Sequence, residues 1–146
     1  MMIRKADPAD SAAVGALAAL LWPSHTADEM ASEFSQILAQ DDCAVFLAAD
    51  GGVAVGFAQC GLRHDYVEGS SGGTVGYLEG IFVSPAYRRG GVSQKLTEAC
   101  ENWAKSMGCR EFASDCEIEN AESIAFHRKT GFAEVNRIVC FLKKLR

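Results

Sequence analysis

Apolar residues recur along the chain at two spacings, and the switches between them divide it into elements. Ile3 to Lys5 reads as a short first strand. Val14, Leu17 and Leu21 then return every three or four residues, which predicts a helix capped by Asp10 or Ser11 and ended by Trp22-Pro23. Thr26 with Glu29 three positions on is a capping box, and Met30, Phe34, Ile37 and Leu38 form the apolar face of a second helix. Cys43 to Ala49 and Val53 to Leu62 are β-compatible runs joined by Asp50-Gly51-Gly52, a hairpin signal. Arg63 to Gly73, with its glycines and serines, is a long connection.

Thr74 to Val83 is the fourth strand. Strict alternation places Tyr77, Glu79, Ile81 and Val83 on one face and Leu78, Gly80 and Phe82 on the other, with Gly80 suited to a local bulge. Val92, Leu96, Ala99, Cys100, Trp103 and Met107 follow the helical period until Gly108 stops it. Glu111 to Cys116 predicts a fifth strand, Asn120 to Thr130 a fourth helix closed by Gly131, and Phe132 to Leu145 a last long strand or split pair. The order βααβββαβαβ is α/β with a mixed, mostly antiparallel sheet in which the crossover through helix three makes strands four and five parallel neighbours. Their carboxyl ends, with the start of helix three, are where such a sheet takes a ligand.

Composition narrows this. The 146 residues are 49% apolar and 23% charged, with 14 Gly and 3 Pro, and carry neither repeat nor linker, so one domain spanning 1–146 is expected. No run reaches the ~18 apolar residues of a membrane span, and the first residues are charged where a secretory h-region would lie, so we expect a cytoplasmic protein that meets no membrane. Nineteen acids against 14 bases give −5 with no basic block; a cationic ligand suits this better than nucleic acid. The six cysteines lack zinc spacing and are expected reduced, with no metal.

The chemistry concentrates at Arg88-Arg89-Gly90-Gly91-Val92-Ser93, between the fourth strand and helix three. Two glycines allow left-handed backbone and close approach, successive N–H groups converge, the helix adds partial positive charge, and the arginines add full charges: the requirements of a pyrophosphate. No G-K-[ST] follows and no G-x-G-x-x-G opens the chain, so neither a Walker loop nor a Rossmann turn is present. Glu79 in mid-strand and Asp115 at the end of the next strand supply carboxylates to the mouth of one cleft.

Val83-x-Pro85-x-x-Arg88-x-x-Gly91-x-Ser93 ahead of an amphipathic helix, with Asn120 and Gly131-Phe132 downstream, resembles the GNAT (GCN5-related N-acetyltransferase) family over nearly the whole chain. Ser93 departs from the Gly or Ala usual there. Leu20-Leu21-Trp22-Pro23, Arg63 to Val67, Leu78 to Val83, Gly108 to Glu111 and Ala113-Ser114-Asp115 resemble its aminoglycoside 6'-N-acetyltransferase subgroup. The resemblance implies strands four and five splayed around the pantetheine arm of acetyl-CoA. That arm would lie along the backbone of Ile81, Phe82 and Val83, and its pyrophosphate would sit on Arg88, Arg89, Gly90, Gly91, Val92 and Ser93, with Asn120 bonding the pantetheine or capping its helix. It also implies a cationic amine held by Glu79 and Asp115 between Trp22 and Tyr66, and acetyl transfer by direct attack in a ternary complex. The Ile81 amide would meet the oxyanion, and His127, where many members have tyrosine, would protonate the CoA thiolate. A homodimer through the apolar run 138–142 is implied too. Two alternatives stay open: the same transfer to a polyamine, peptide or metabolite amine, and a non-catalytic acyl-CoA binding module.

Overall fold

All residues, 1–146, are described in the computed structural model. β1 (Met2–Lys5) enters α1 (Ser11–Leu21) through a 3-10 turn over Pro8–Asp10. Asp7 caps that turn, accepting from the Ala9 amide at 2.9 Å. Asp10, one of the two caps expected with Ser11, takes the N-cap position of α1 but makes no side-chain bond to the helix. Its carboxylate instead accepts both nitrogens of the Arg4 fork, at 2.8 and 2.7 Å, and the Asp7 amide. α2 (Ala27–Ile37) begins with the expected capping box, Thr26 and Glu29 each accepting the other's amide. α1 crosses α2 with backbones touching: a Cβ at Gly15 would lie 2.5 Å from the Ala31 nitrogen.

β2 (Cys43–Asp50), β3 (Val53–Arg63), β4 (Val75–Val83) and β5 (Phe112–Ser114) complete a five-stranded sheet in the order β1-β2-β3-β4-β5. The first three pairings are antiparallel and the β4–β5 pairing is parallel. α3 (Val92–Ser106) covers one face through Val92, Leu96, Cys100 and Trp103 against Ala44, Ala58, Cys60 and Leu78. α1 and α2 cover the other, where Phe34 and Phe57 meet edge to face at 5.8 Å beside Val45 and Leu47. α4 (Ala121–Lys129) packs Phe126 at the rim of the α3 layer. α3 ends one residue before Met107, which is exposed rather than on the buried stripe.

Two sequence expectations change. β4 does not alternate throughout. Gln59 pairs with Gly80 while Cys60 pairs with Leu78, so Glu79 is the extra residue of a β-bulge. Before it, Gly76 and Leu78 face α3; after it, Ile81 and Val83 do, while Gly80 and Phe82 turn to α1 and α2. Glu79 therefore does not share a face with Ile81 and Val83. The second change is at the end of the chain, where the expected strand over Phe132–Leu145 is absent. The last main-chain bond donated is from Phe132 to the His127 carbonyl, and Val135, Ile138, Val139, Phe141 and Leu142 are all more than 60% exposed. A strand exists only with a neighbour, and within one chain this segment finds none.

Candidate functional site

β4 and β5 pair only from Gly76–Phe112 to Leu78–Ser114. Beyond Leu78 the strands part, and Glu79 to Val83 have no partner on that side. This wedge leads to the turn over Pro85–Tyr87 and then to α3. Gly91 caps α3 in the left-handed region, φ 83°, and the first helical bond runs from Lys95 to the Gly91 carbonyl. The amides of Val92, Ser93 and Gln94 thus have no partner within the helix. Gly90 was expected to share the left-handed role. Arg89 takes it instead, at φ 66°, a conformation that costs a residue with a Cβ about 1 kcal/mol. Arg88 leans back along β4, its Nε donating to the Val83 carbonyl at 2.7 Å and its guanidinium over the Phe82 ring at 5.4 Å. A Cβ at Gly91 would meet nothing within 4 Å, so the approach to these amides is open. Free amides, a helix N-terminus and two guanidiniums fit a diphosphate.

On the α1/α2 face lies a cleft of about 290 Å³ lined by Trp22, His25, Met30, Glu33, Phe34, Gln59 and Glu79. Trp22 is wedged between Phe57, 6.2 Å away edge to face, and Gly80, where a Cβ would lie 2.6 Å from the indole Cη2. Only a glycine after the bulge allows that seat.

Glu79 does not stand free. Arg63, at the end of β3, sets Nε at 3.1 Å and Nη2 at 2.8 Å from its two oxygens. The same guanidinium lies 3.5 Å over the centroid of Tyr77, whose hydroxyl donates to Asp115. The two carboxylates thus flank one guanidinium–phenol stack. Burial first, then the hydrogen bond and charge of Asp115, push the Tyr77 phenol well above its ordinary range, so it stays a proton donor. Glu79 first, through its hydrogen bond, holds the Arg63 charge more firmly still.

His127 sits between the rings of Phe126 and Phe132, at 5.3 and 5.1 Å. Its Nδ1 lies 2.7 Å from the Ser123 carbonyl and its Nε2 2.8 Å from Ser114 Oγ, the last residue of β5. Asn120 caps α4, its side-chain oxygen accepting from the Ser123 amide at 3.1 Å. Tyr66 is 78% exposed in the loop after β3, bonded to Glu68 at 3.2 Å, and does not line the cleft with Trp22.

The structure therefore gathers Trp22 with Glu79, Asp115 with Tyr77, and Arg88 to Ser93 with the wedge. Sequence reading missed Arg63, Tyr77, Glu33 and Ser114. Arg63 was legible only as part of a short motif, because its partner is sixteen residues away across β3 and β4.

The acetyltransferase (GNAT) family matches residues 14–132. An aminoglycoside N(6')-acetyltransferase type 1 of Stenotrophomonas maltophilia is 46% identical over 95% of this chain and 90% of its own length. One from Salmonella typhimurium is 43% identical over 85% and 86%. Among solved structures, AAC(6')-Iy with a bisubstrate analogue, CoA-S-monomethyl-acetylneamine, superposes with a TM-score of 0.93 at 39% identity, covering 98% of this chain and 97% of that one.

Proposed function

The chain belongs to the acetyltransferase (GNAT) family, and we propose that it transfers the acetyl group of acetyl-CoA to the 6'-amine of an aminoglycoside, conferring resistance. The observation that carries this reading is the meeting of two sites at one wedge: a diphosphate cradle on the α3 side and an acid-lined cleft on the α1/α2 side. Acyl-CoA binding alone would have no use for the second.

In this reading the pyrophosphate rests on the amides of Val92 and Ser93, with Gly90 and Gly91 keeping the approach clear and Arg88 and Arg89 supplying charge. The pantetheine lies along Ile81, Phe82 and Val83 where β5 has left β4, and Asn120 offers its side-chain amide nitrogen from the rim of α4. The amine arrives protonated, since alkylamines of this kind keep their proton at neutral pH. It exchanges for Arg63 at Glu79, with Trp22 as a flat wall beneath the sugar and Tyr66 closing from its loop. Glu79, directly or through water, takes the proton, and Asp115 holds the second charge. The freed amine attacks the thioester in a ternary complex, the Ile81 amide meets the oxyanion, and His127 returns a proton to the thiolate.

The oligomeric state follows from the tail. Six large apolar side chains at 133–146, on a backbone that makes no main-chain hydrogen bond there, are satisfied by a second copy, which makes the working unit a homodimer. No helix is long and apolar enough to cross a membrane. We place the protein in the cytoplasm, where six free thiols stay reduced. Steady-state acetylation across a panel of amines tests the substrate: turnover of 6'-amino aminoglycosides above polyamines and peptides is expected, and activity confined to peptides overturns the proposal.

A further inference from the structure

The hydrogen bonds around His127 and Ser114 can be made in two ways, according to where the hydrogen between Nε2 and Ser114 Oγ lies. Nδ1 lies 2.7 Å from the Ser123 carbonyl, which can only accept, so Nδ1 carries hydrogen. Ser114 Oγ lies 2.8 Å from Nε2 and 3.2 Å from the Leu78 carbonyl. Its one hydrogen serves Leu78 or Nε2, not both. All three contacts are made at once when Nε2 also carries hydrogen: Nδ1–H to Ser123, Nε2–H to Ser114, and Ser114 Oγ–H to Leu78. Phe126 and Phe132 flank the ring. Leu78–Ser114 is the last rung before the wedge opens, so the Ser114 hydroxyl stands at the apex of that wedge with the ring behind it.

We infer that Ser114 is a catalytic residue that relays a proton from His127 to the departing thiolate. The inference rests on the acetyl-transfer reading above and on His127 as the proton source. When the tetrahedral intermediate collapses, the C–S bond breaks and its electron pair stays on sulfur. Ser114 turns its hydrogen from the Leu78 carbonyl to that sulfur, and its oxygen takes the Nε2 proton. The ring is left neutral with Nδ1–H still on Ser123, and regains a proton from water after the thiol leaves. Glu79 passes the amine's first proton to water and takes the second from the nitrogen of the tetrahedral intermediate as it collapses, so both amine protons leave on the carboxylate side and do not compete with the transfer to sulfur. Ser114 forms no bond to the acetyl group.

The test compares Ser114→Ala, Ser114→Thr, His127→Gln and the double variant Ser114→Ala/His127→Gln in the full-length enzyme, with acetyl-CoA and a 6'-amino aminoglycoside. Because a thiolate leaves fairly well unaided, the loss expected is about 10- to 100-fold in kcat, the lower part of what proton transfer contributes. Each single alanine or glutamine variant should show it, with both KM values within about threefold of the parent. The double variant should be no slower than the singles, since a relay broken twice is broken once. Ser114→Thr, which keeps the hydroxyl, should recover most of the rate. If Ser114→Ala turns over normally while His127→Gln is slow, the relay is overturned and His127 acts directly; if both are normal, His127 falls as well. A loss appearing as a raised KM for acetyl-CoA, or acetylated Ser114 found by mass spectrometry of the quenched reaction, also overturns the relay. Should Ser114→Ala fail to fold, Ser114→Gly, which also removes the hydroxyl, takes its place under the same criteria.

Discussion

The Arg63 guanidinium grips both oxygens of the Glu79 carboxylate while lying flat on Tyr77. A cationic amine at Glu79 therefore replaces a cation already there. Removing that competitor in Arg63→Met should lower KM for a dicationic amine about threefold, the size of one partly exposed ion pair. KM for acetyl-CoA should not move. A rise in amine KM instead would mean that Arg63 orients Glu79 for its substrate.

Neutralising the carboxylates separates turnover from cosubstrate binding. Glu79→Gln and Asp115→Asn should each lower kcat/KM for the amine by about 100-fold. Calorimetric affinity for acetyl-CoA should stay at the parent value, because neither side chain borders the cradle at 88–93.

At the cradle, Gly91 is left-handed with open space around it. Gly91→Ala should cost about 1 kcal/mol of folding stability through conformation alone. Gly91→Asp adds a like charge beside the diphosphate, and calorimetry should find acetyl-CoA bound at least about tenfold more weakly.

Gly80 is required by Trp22. Gly80→Ala drives a Cβ into the indole and should raise KM for the amine with little change for acetyl-CoA, read from steady-state kinetics with each substrate varied in turn. Equal effects on both would place the damage in β4 itself.

The exposed tail predicts assembly. Phe141→Asp with Leu142→Asp should shift the protein from dimer to monomer by sedimentation equilibrium, leaving secondary structure intact by circular dichroism. A parent that sediments as a monomer would contradict the homodimer.

Asp10 contributes to the acid dependence of stability. The Arg4 hydrogen bonds, then the Asp7 amide, lower its carboxyl from 3.8 to about 2. A depressed folded pKa stabilises above the unfolded value and loses that stabilisation as pH falls from about 4 to about 2. Urea midpoints over that window should fall less steeply in Asp10→Asn than in the parent.

Much of this was legible because it is local. The Thr26–Glu29 capping box, the Asp50-Gly51-Gly52 hairpin and the glycine entry to α3 each depend on residues within a few positions of one another. Three features were not. The break in alternation along β4 has no sign in the sequence, since a bulge is created by register with Gln59 and Cys60 and leaves no mark in the strand's own composition. Arg63 and Tyr77 join the site through cross-strand and inter-strand contacts that no short window contains. Phe132 to Leu145 has the residues of a strand, but strand formation is a property of a pair, and nothing in the chain lies beside this segment to pair with it.

The extra residue at Glu79 divides β4 into two halves whose odd and even positions have traded sides. Hydrophobic-to-polar scanning along the strand should show damage falling on Gly76 and Leu78 in the α3 layer, then skipping to Ile81 and Val83, a phase slip of one. Deleting Glu79 would restore plain alternation from Leu78 to Gly80, leaving Ile81 on the α3 side and Phe82 on the α1/α2 side while removing the carboxylate, so the strand should still form with its acid gone.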